Sequence, residues 1–148
     1  MLLDADAIRQ LMQAGLPHVR ELGVELVGIE GHAVTLKLAW QERLVGNLAA
    51  GVLHGGVITA LLDTASGFAV HTRLSEWSPI ATLDLRIDYL KPAERGETVT
   101  ARAECYRMSK HVAFCRGVAY HRDPEDPIAH AAGSFMLGTS GPNMDSRR

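Results

Sequence analysis

The chain has few of the features that mark secreted, membrane or metal-binding proteins. Only two of its 148 residues are cysteine, with no Cys-x-x-Cys pair, so we expect reduced thiols and no disulfide framework. No run of 18 or more apolar residues occurs, which argues against a transmembrane helix. The seven histidines form neither a His-Glu-x-x-His nor a His-x-His pattern, so no metal site is predicted.

A strong charge bias is also absent, since the formal net charge is only −2. The sequence therefore favours neither nucleic acid nor an anionic membrane as a partner. The first six residues carry acids where a signal peptide would have lysine or arginine, so we expect a cytoplasmic protein. Because 47% of the residues are apolar and the length suits one core, we predict a single domain over residues 1–148.

What is present is a regular succession of helix and strand patterns. In chain order we predict a helix over 4–16 in an N-terminal segment 1–20, strands over Leu22–Ile29 and Val34–Trp40, a loop over 41–51, a long helix over Leu53–His71, strands over 82–91, Thr98–Arg107, Val112–His121 and Ile128–Gly138, and a disordered tail over 139–148. The later strands are joined by short turns, which favours antiparallel pairing. One long helix beside such a sheet makes an α+β fold.

Two strand patterns predict how side chains are arranged. Between residues 82 and 89, one face carries the apolar Leu83, Leu85, Ile87 and Tyr89, and the other carries the polar Thr82, Asp84, Arg86 and Asp88. Farther on, Cys105 and Cys115 are placed symmetrically about a tight turn at Ser109–Lys110. We expect them to face each other across the hairpin as two reduced core thiols.

The long helix over Leu53–His71 is the most informative segment, because its apolar residues surround it instead of keeping to one stripe. A helix of this kind is buried on most sides. Its few polar and small residues recur at intervals of three and four, and so share one face: Gly56, Thr59, Asp63 and Ser66. We predict that this face lines a site or an interface.

The start of this helix, His54-Gly55-Gly56, and the acid two turns later are suited to chemistry on a carbonyl group. The first N–H groups of a helix lack internal partners and lie at the positive end of its dipole, and glycine lets a substrate approach them. Asp63 is a candidate general base or nucleophile, and its charge needs a hydrogen-bond partner on so apolar a helix. The alternatives are glycines used only for tight packing and a purely structural Asp63.

Beyond these two features, Asn47, the strand over 81–93 and the dipeptide Gly96-Glu97 complete a recognisable pattern. From Leu22 to Gly138 the chain resembles the hotdog-fold acyl-CoA thioesterases of the phenylacetate-pathway (PaaI-like) type. The resemblance implies a long central helix wrapped by a curved, largely antiparallel sheet of about six strands. It also implies hydrolysis of an acyl-CoA thioester, with no cofactor, because coenzyme A is part of the substrate.

The resemblance implies roles for particular residues. The Gly55 N–H matches the oxyanion donor and Asp63 the catalytic carboxylate, in a site completed by a second subunit of a homodimer or homotetramer. Asn47 and Thr82 match residues that place the water or the thioester, and His54 matches a supporting residue at the helix start. Asn47 stands seven residues before His54, one more than in the family.

Further residues are candidates for binding the substrate. Gly56, Thr59 and Ser66 lie on the predicted site face of the helix. Arg107 and Lys110 flank the hairpin turn, where basic groups either hold the phosphates of coenzyme A or form a solvated hairpin end. Apolar candidates for the acyl pocket are Phe68, Trp77, Leu90 and Met136, which leave aryl, medium-chain and hydroxylated acyl groups open.

Two other functions stay open at the level of sequence. A hotdog hydratase or dehydratase would use a catalytic histidine, for which His54 is available, but its Asp-x-Asn-Pro-x-His motif is absent. A non-catalytic acyl-CoA-binding protein is the second alternative.

Overall fold

The computed structural model describes residues 3–139, so the tail predicted to be disordered lies almost wholly outside the described residues. The helical elements are α1 (Ala5–Gln10), a π-helical turn (Leu11–Gly15), α2 (Pro17–Leu22), a 3₁₀ turn (Glu42–Leu44) and α3 (Gly55–His71). The strands are β1 (Val24–Glu30), β2 (Ala33–Leu38), β3 (Val45–Asn47), β4 (Val52–Leu53), β5 (Ile80–Tyr89), β6 (Val99–Met108), β7 (Val112–Tyr120) and β8 (Pro127–Leu137).

Six strands form one antiparallel sheet in the order β1-β2-β6-β7-β8-β5, and β3 pairs with β4 separately. Helix α3 packs on this sheet, chiefly against β2, β6 and β7. The predicted α+β hotdog fold, with one long helix and six strands, is therefore confirmed. No helix between residues 3 and 139 is both long enough and apolar enough to cross a membrane.

The N-terminal segment folds as two short helices where one was predicted. The helix predicted over residues 4–16 corresponds to α1 and the π-helical turn. Asp4 caps α1, because its Oδ1 accepts the Ala7 N–H at 2.8 Å. The second helix, α2, begins at Pro17, a position where a proline loses no helical hydrogen bond. The strand predicted to start at Leu22 is shorter, because Leu22 still belongs to α2.

The boundaries near the start of α3 also differ from prediction. The helix begins at Gly55 and not at Leu53, because His54 caps it: His54 Nδ1 accepts the Gly56 N–H at 2.9 Å. The segment predicted as a loop over residues 41–51 contains the 3₁₀ turn and the first strand of the β3–β4 hairpin. This small hairpin leads the chain directly into the helix start.

An irregularity in β5 reverses the predicted orientation at its start. The pairing register of β5 with β8 shifts between Thr82 and Asp84, so Leu83 is an extra residue in the strand. Thr82 consequently reaches α3 with its hydroxyl, and Leu83 is 51% exposed. The strict alternation predicted for this strand is therefore broken at its start, where Thr82 and not Leu83 contacts α3, whereas Leu85 and Ile87 pack against the core as expected.

The β6–β7 hairpin follows the prediction. Cys105 pairs with Cys115 directly across the hairpin, and both are buried free thiols. The Ser109 N–H donates to the Val112 carbonyl at 2.8 Å, and the Ser109 hydroxyl accepts the Val112 N–H at 3.1 Å. These bonds close the tight turn that places the two cysteines opposite each other.

Candidate active site

Asp63 lies near the middle of α3, and a threonine on β5 orients its carboxylate. Asp63 Oδ1 accepts the Thr82 hydroxyl at 2.9 Å. The bulge in β5 thus supplies the hydrogen-bond partner that a carboxylate on an apolar helix needs. The side chain is only partly buried, and no donor between residues 3 and 139 bonds its Oδ2. That oxygen is therefore available to accept a proton or to attack an electrophile.

Asp63 and Thr82 border a largely apolar pocket of about 460 Å³. Along α3 the pocket follows two successive turns, with the lining residues Asp63, Thr64, Gly67, Phe68 and His71. The N-terminal helical segment, the chain before β5 and the sheet supply the remaining walls, through Leu11, Gly15, Leu16, Val19, Trp77, Pro79, Ile80, Thr82 and Phe135. The part played by α2 and the π-helical turn was missed in the sequence, because it depends on how they dock against α3.

The end of this pocket farthest from Asp63 along α3 is formed by a stacked aromatic pair. The rings of His71 and Trp77 are parallel within 1°, with centroids 4.8 Å apart. His71 is buried, and its Nδ1 has no hydrogen-bond partner among residues 3–139. Burial lowers the pKa of His71 below its usual value of 6.5, because an imidazolium would lose its hydration there.

The start of α3 presents a free backbone donor. The Gly56 N–H is taken by His54, whereas the Gly55 N–H has no acceptor among the described residues. Tyr89 was not assigned a role from the sequence, yet it anchors this turn: its hydroxyl donates to the Gly55 carbonyl at 2.7 Å and lies 2.5 Å from the Thr59 hydroxyl. Only tertiary pairing brings β5 to this turn, so no local signal identified Tyr89.

The open stripe of α3, defined as its residues that are not fully buried, differs from the predicted face by one position. Gly56, Thr59 and Asp63 lie on it as predicted. Ser66 does not, because it is 1% exposed and its carbonyl accepts the buried Cys115 thiol. Gly67 takes its place on the stripe.

Three predicted site residues lie away from Asp63 in the single chain. Asn47 is exposed in the β3–β4 hairpin, where its Oδ1 accepts the Ala50 N–H at 3.2 Å. Arg107 and Lys110 are exposed near the β6–β7 turn and do not line the Asp63 pocket. Among the apolar candidates, Phe68 and Trp77 do line that pocket. Leu90 lines a different one, and Met136 is 41% exposed on the sheet.

Gly55 and Asp63 do not face the same cavity within one chain. Gly55 lines a separate pocket of about 350 Å³ together with Leu53, Tyr89 and Leu90. Eight residues of α3 separate the two groups, which corresponds to about 12 Å of helix. One chain therefore holds a polarising donor and a carboxylate too far apart to act on the same carbonyl.

The sequence and the fold both match known proteins. Residues 50–128 match the family model described as the thioesterase superfamily. The protein named medium/long-chain acyl-CoA thioesterase YigI from Escherichia coli (strain K12) is 38% identical over 136 residues, and the match covers 83% of this chain and 86% of that protein.

Solved structures resemble the fold over most of its length. A Pseudomonas aeruginosa protein is 42% identical, with a TM-score of 0.77 and coverage of 86% of this chain and 94% of the other. The Escherichia coli PaaI protein from the phenylacetic acid degradation operon has a TM-score of 0.79 at 19% identity, over 93% of this chain and 94% of its own. At that identity the likeness extends to the fold alone.

Proposed function

The chain belongs to the thioesterase superfamily, and we propose that it hydrolyses acyl-CoA thioesters to a free acid and coenzyme A in active sites shared by two copies of the chain. The proposal agrees with the name of the Escherichia coli relative, an acyl-CoA thioesterase. It rests most directly on one observation. A carboxylate oriented by Thr82 stands at the border of an apolar pocket suited to an acyl chain.

Asp63 is the proposed catalytic carboxylate. Thr82 holds one of its oxygens and leaves the other free, which fixes the direction in which the carboxylate acts. As a general base, Asp63 takes a proton from water while the water oxygen attacks the thioester carbonyl. As a nucleophile, it attacks that carbonyl itself, and water then hydrolyses the resulting anhydride. In both routes the C–S bond breaks, and coenzyme A leaves as a thiolate that takes up a proton.

Gly55 is the proposed oxyanion donor. Its N–H lies in the first turn of α3, at the positive end of the helix dipole, and has no acceptor among residues 3–139. The absence of a side chain lets a carbonyl oxygen approach the backbone. A donor of this kind stabilises the developing oxyanion by about 3–4 kcal/mol in enzymes where one was removed.

A second copy of the chain resolves the separation between these groups. The Gly55 of one subunit then acts on the carbonyl that the Asp63 of its partner attacks. The open stripe of α3 and the edge strand β5 supply the surfaces for this contact, with Leu83, Tyr89 and Leu90 each more than 50% exposed in the single chain. A homodimer is thus a condition of activity, and a homotetramer would repeat the same shared site.

The remaining candidate residues have supporting roles in this proposal. His54 caps α3 and thereby holds the Gly55 N–H in place. Asn47 sits on a hairpin beside the helix start and reaches a substrate only in the assembled dimer. Gly56 and Thr59 line the substrate path on the open stripe, and the exposed Arg107 and Lys110 contact the phosphates of coenzyme A. No cofactor takes part, since water and a carboxylate suffice for the hydrolysis.

The test is a thiol-release assay on a panel of acyl-CoAs with the wild-type protein and Asp63→Asn. We expect wild-type turnover and a loss of about 10²–10⁴-fold in kcat for the variant, because a proton acceptor or nucleophile is removed without a change of shape. Asp6→Asn, at an exposed position on α1 that does not line the Asp63 pocket, is the matched control and should leave kcat unchanged. Undiminished turnover by a folded Asp63→Asn protein would rule out the proposed role.

A further inference from the structure

The pocket beside Asp63 is polar at one end and apolar along most of the rest of its length. Near Asp63 the polar groups are the carboxylate, Thr82 and Thr64, and the Thr64 hydroxyl is already bonded to the Ala60 carbonyl at 2.7 Å. Beyond them the helix contributes Gly67 and Phe68. The polar end of the pocket therefore lies where the thioester would react, and the apolar part extends away from it.

Glycine at position 67 keeps this apolar part open. A Cβ built on Gly67 would lie 3.7 Å from Ile80 Cδ1 on the far side of the pocket, in van der Waals contact with it. Any larger side chain at this position would fill the space between α3 and β5. Glycine therefore leaves the helix backbone itself as the wall of the apolar part at this point.

The stacked pair His71–Trp77 interrupts the apolar lining at the far end. The imidazole lines the same pocket as Asp63, eight residues or about 12 Å farther along the helix. The imidazole is a polar ring in an otherwise apolar stretch of the lining, and its Nδ1 is buried without a partner among residues 3–139. The Trp77 ring lies parallel to it and adds bulk at the same place.

We propose that this pocket is a channel for the acyl chain and that the His71–Trp77 pair closes its end, which limits the chain length that the enzyme accepts. The inference rests on the proposed thioesterase function and deepens it by naming the residues that select the length of the acyl chain. Neither residue acts on the thioester. They are specificity-determining residues at the end of the channel remote from Asp63.

The experiment measures kcat/KM for saturated acyl-CoAs of increasing length with the full-length protein. For the wild type we expect kcat/KM to rise about fourfold per methylene while the chain is still entering the channel, and then to level off or fall. Trp77→Ala removes the indole ring at the end of the channel. In this variant kcat/KM should continue to rise to longer acyl chains than in the wild type. His71→Leu replaces the imidazole with an apolar side chain of similar size. This variant should extend the rise in kcat/KM by less than Trp77→Ala.

The control is Tyr106→Ala, which removes an aromatic ring of similar exposure on β6, away from this pocket. Its chain-length profile should coincide with that of the wild type. Active Trp77→Ala and His71→Leu proteins with the wild-type profile would overturn the inference while leaving the thioesterase proposal intact. If His71→Leu does not fold, Trp77→Ala alone decides, because Trp77 is 55% exposed and its loss opens no core cavity. A wild-type protein that hydrolyses no acyl-CoA would overturn both proposals.

Discussion

The two long sides of α3 differ in what each residue contributes. On the side facing the sheet, consecutive turns carry fully buried aliphatic residues such as Leu61, Leu62 and Ala65. On the open stripe the residues are small or polar, and Asp63 is the carboxylate among them. Packing explains the first side, because any aliphatic side chain of the right volume would serve there. In the proposed function, the second side leaves space for a substrate and a partner subunit.

Substitutions on the open side should lower activity more than substitutions on the sheet side. The largest loss is expected when the Gly55 N–H is removed. Gly55→Pro removes the N–H at a position where helices accept proline, and His54 before it already has the extended backbone that proline requires (φ −61°, ψ 134°). We expect kcat to fall about 10²–10³-fold. The measurement is thiol release under saturating acyl-CoA.

Gly55→Ala is the matched control for this variant. It adds the same Cβ, which would lie 3.3 Å from the Tyr89 hydroxyl, but it retains the N–H. Its kcat should lie far closer to the wild-type value than that of Gly55→Pro. Equal losses in the two variants would mean that crowding against Tyr89, and not the missing donor, is responsible.

Substitutions on the sheet side should lower the free energy of unfolding and leave the catalytic rate nearly unchanged. Leu62 is fully buried and reaches the sheet at Gly117, where a Cβ would lie 3.3 Å from Leu62 Cδ2. Leu62→Ala should lower the free energy of unfolding by about 2–5 kcal/mol, measured by urea denaturation. Turnover per folded molecule should change little. The opposite pattern, full stability with lost turnover, would contradict the division between the two sides.

Thr82→Val should lower activity, as expected for the open side, but by less than Gly55→Pro. The variant keeps the shape of the side chain but removes the hydroxyl that orients Asp63. We expect kcat to fall about tenfold, in line with the loss of a hydrogen bond to a charged group. Thr82→Ser keeps the hydroxyl and should recover most of the activity. If Val and Ser behave alike, the hydroxyl does not orient the carboxylate.

The smallest effect concerns His71, at the border between the two sides. Its pKa is lowered by burial, so below about pH 6.5 the unfolded chain binds a proton that the folded chain does not. The free energy of unfolding should therefore fall as the pH drops from 7 to 5, with at most about 1.4 kcal/mol per pH unit from this group. His71→Leu should flatten that slope in urea titrations at each pH. An unchanged slope would show that His71 is protonated equally in both states.

Local patterns in the sequence predicted the parts of the fold that depend on neighbours in the chain. The run of apolar residues on all sides of one segment identified α3. The symmetric placement of Cys105 and Cys115 predicted their pairing across a tight turn. The hydrogen-bond partner expected for Asp63 is also present. The first two features follow from regular spacing along the chain. The third follows from the cost of leaving one charge on an apolar helix without a hydrogen bond.

The errors have geometric causes that local patterns do not contain. From Asp63, Ser66 is rotated by about 60° to one side of α3 and Gly67 by about 40° to the other, and only the docked sheet decides which side is covered. The bulge at Leu83 reverses the facing of Thr82, although strict alternation continues in the sequence. The pocket wall from α2 depends likewise on tertiary docking.

The central claim, that one subunit's Gly55 works with the Asp63 of its partner, is tested most directly by mixing two inactive variants. Gly55→Pro and Asp63→Asn subunits are unfolded together, refolded in equal amounts and assayed for thiol release. Each mixed dimer regenerates one intact site, so the mixture should recover about one quarter of wild-type activity. Activity no greater than the mean of the two variants refolded separately would contradict the shared site.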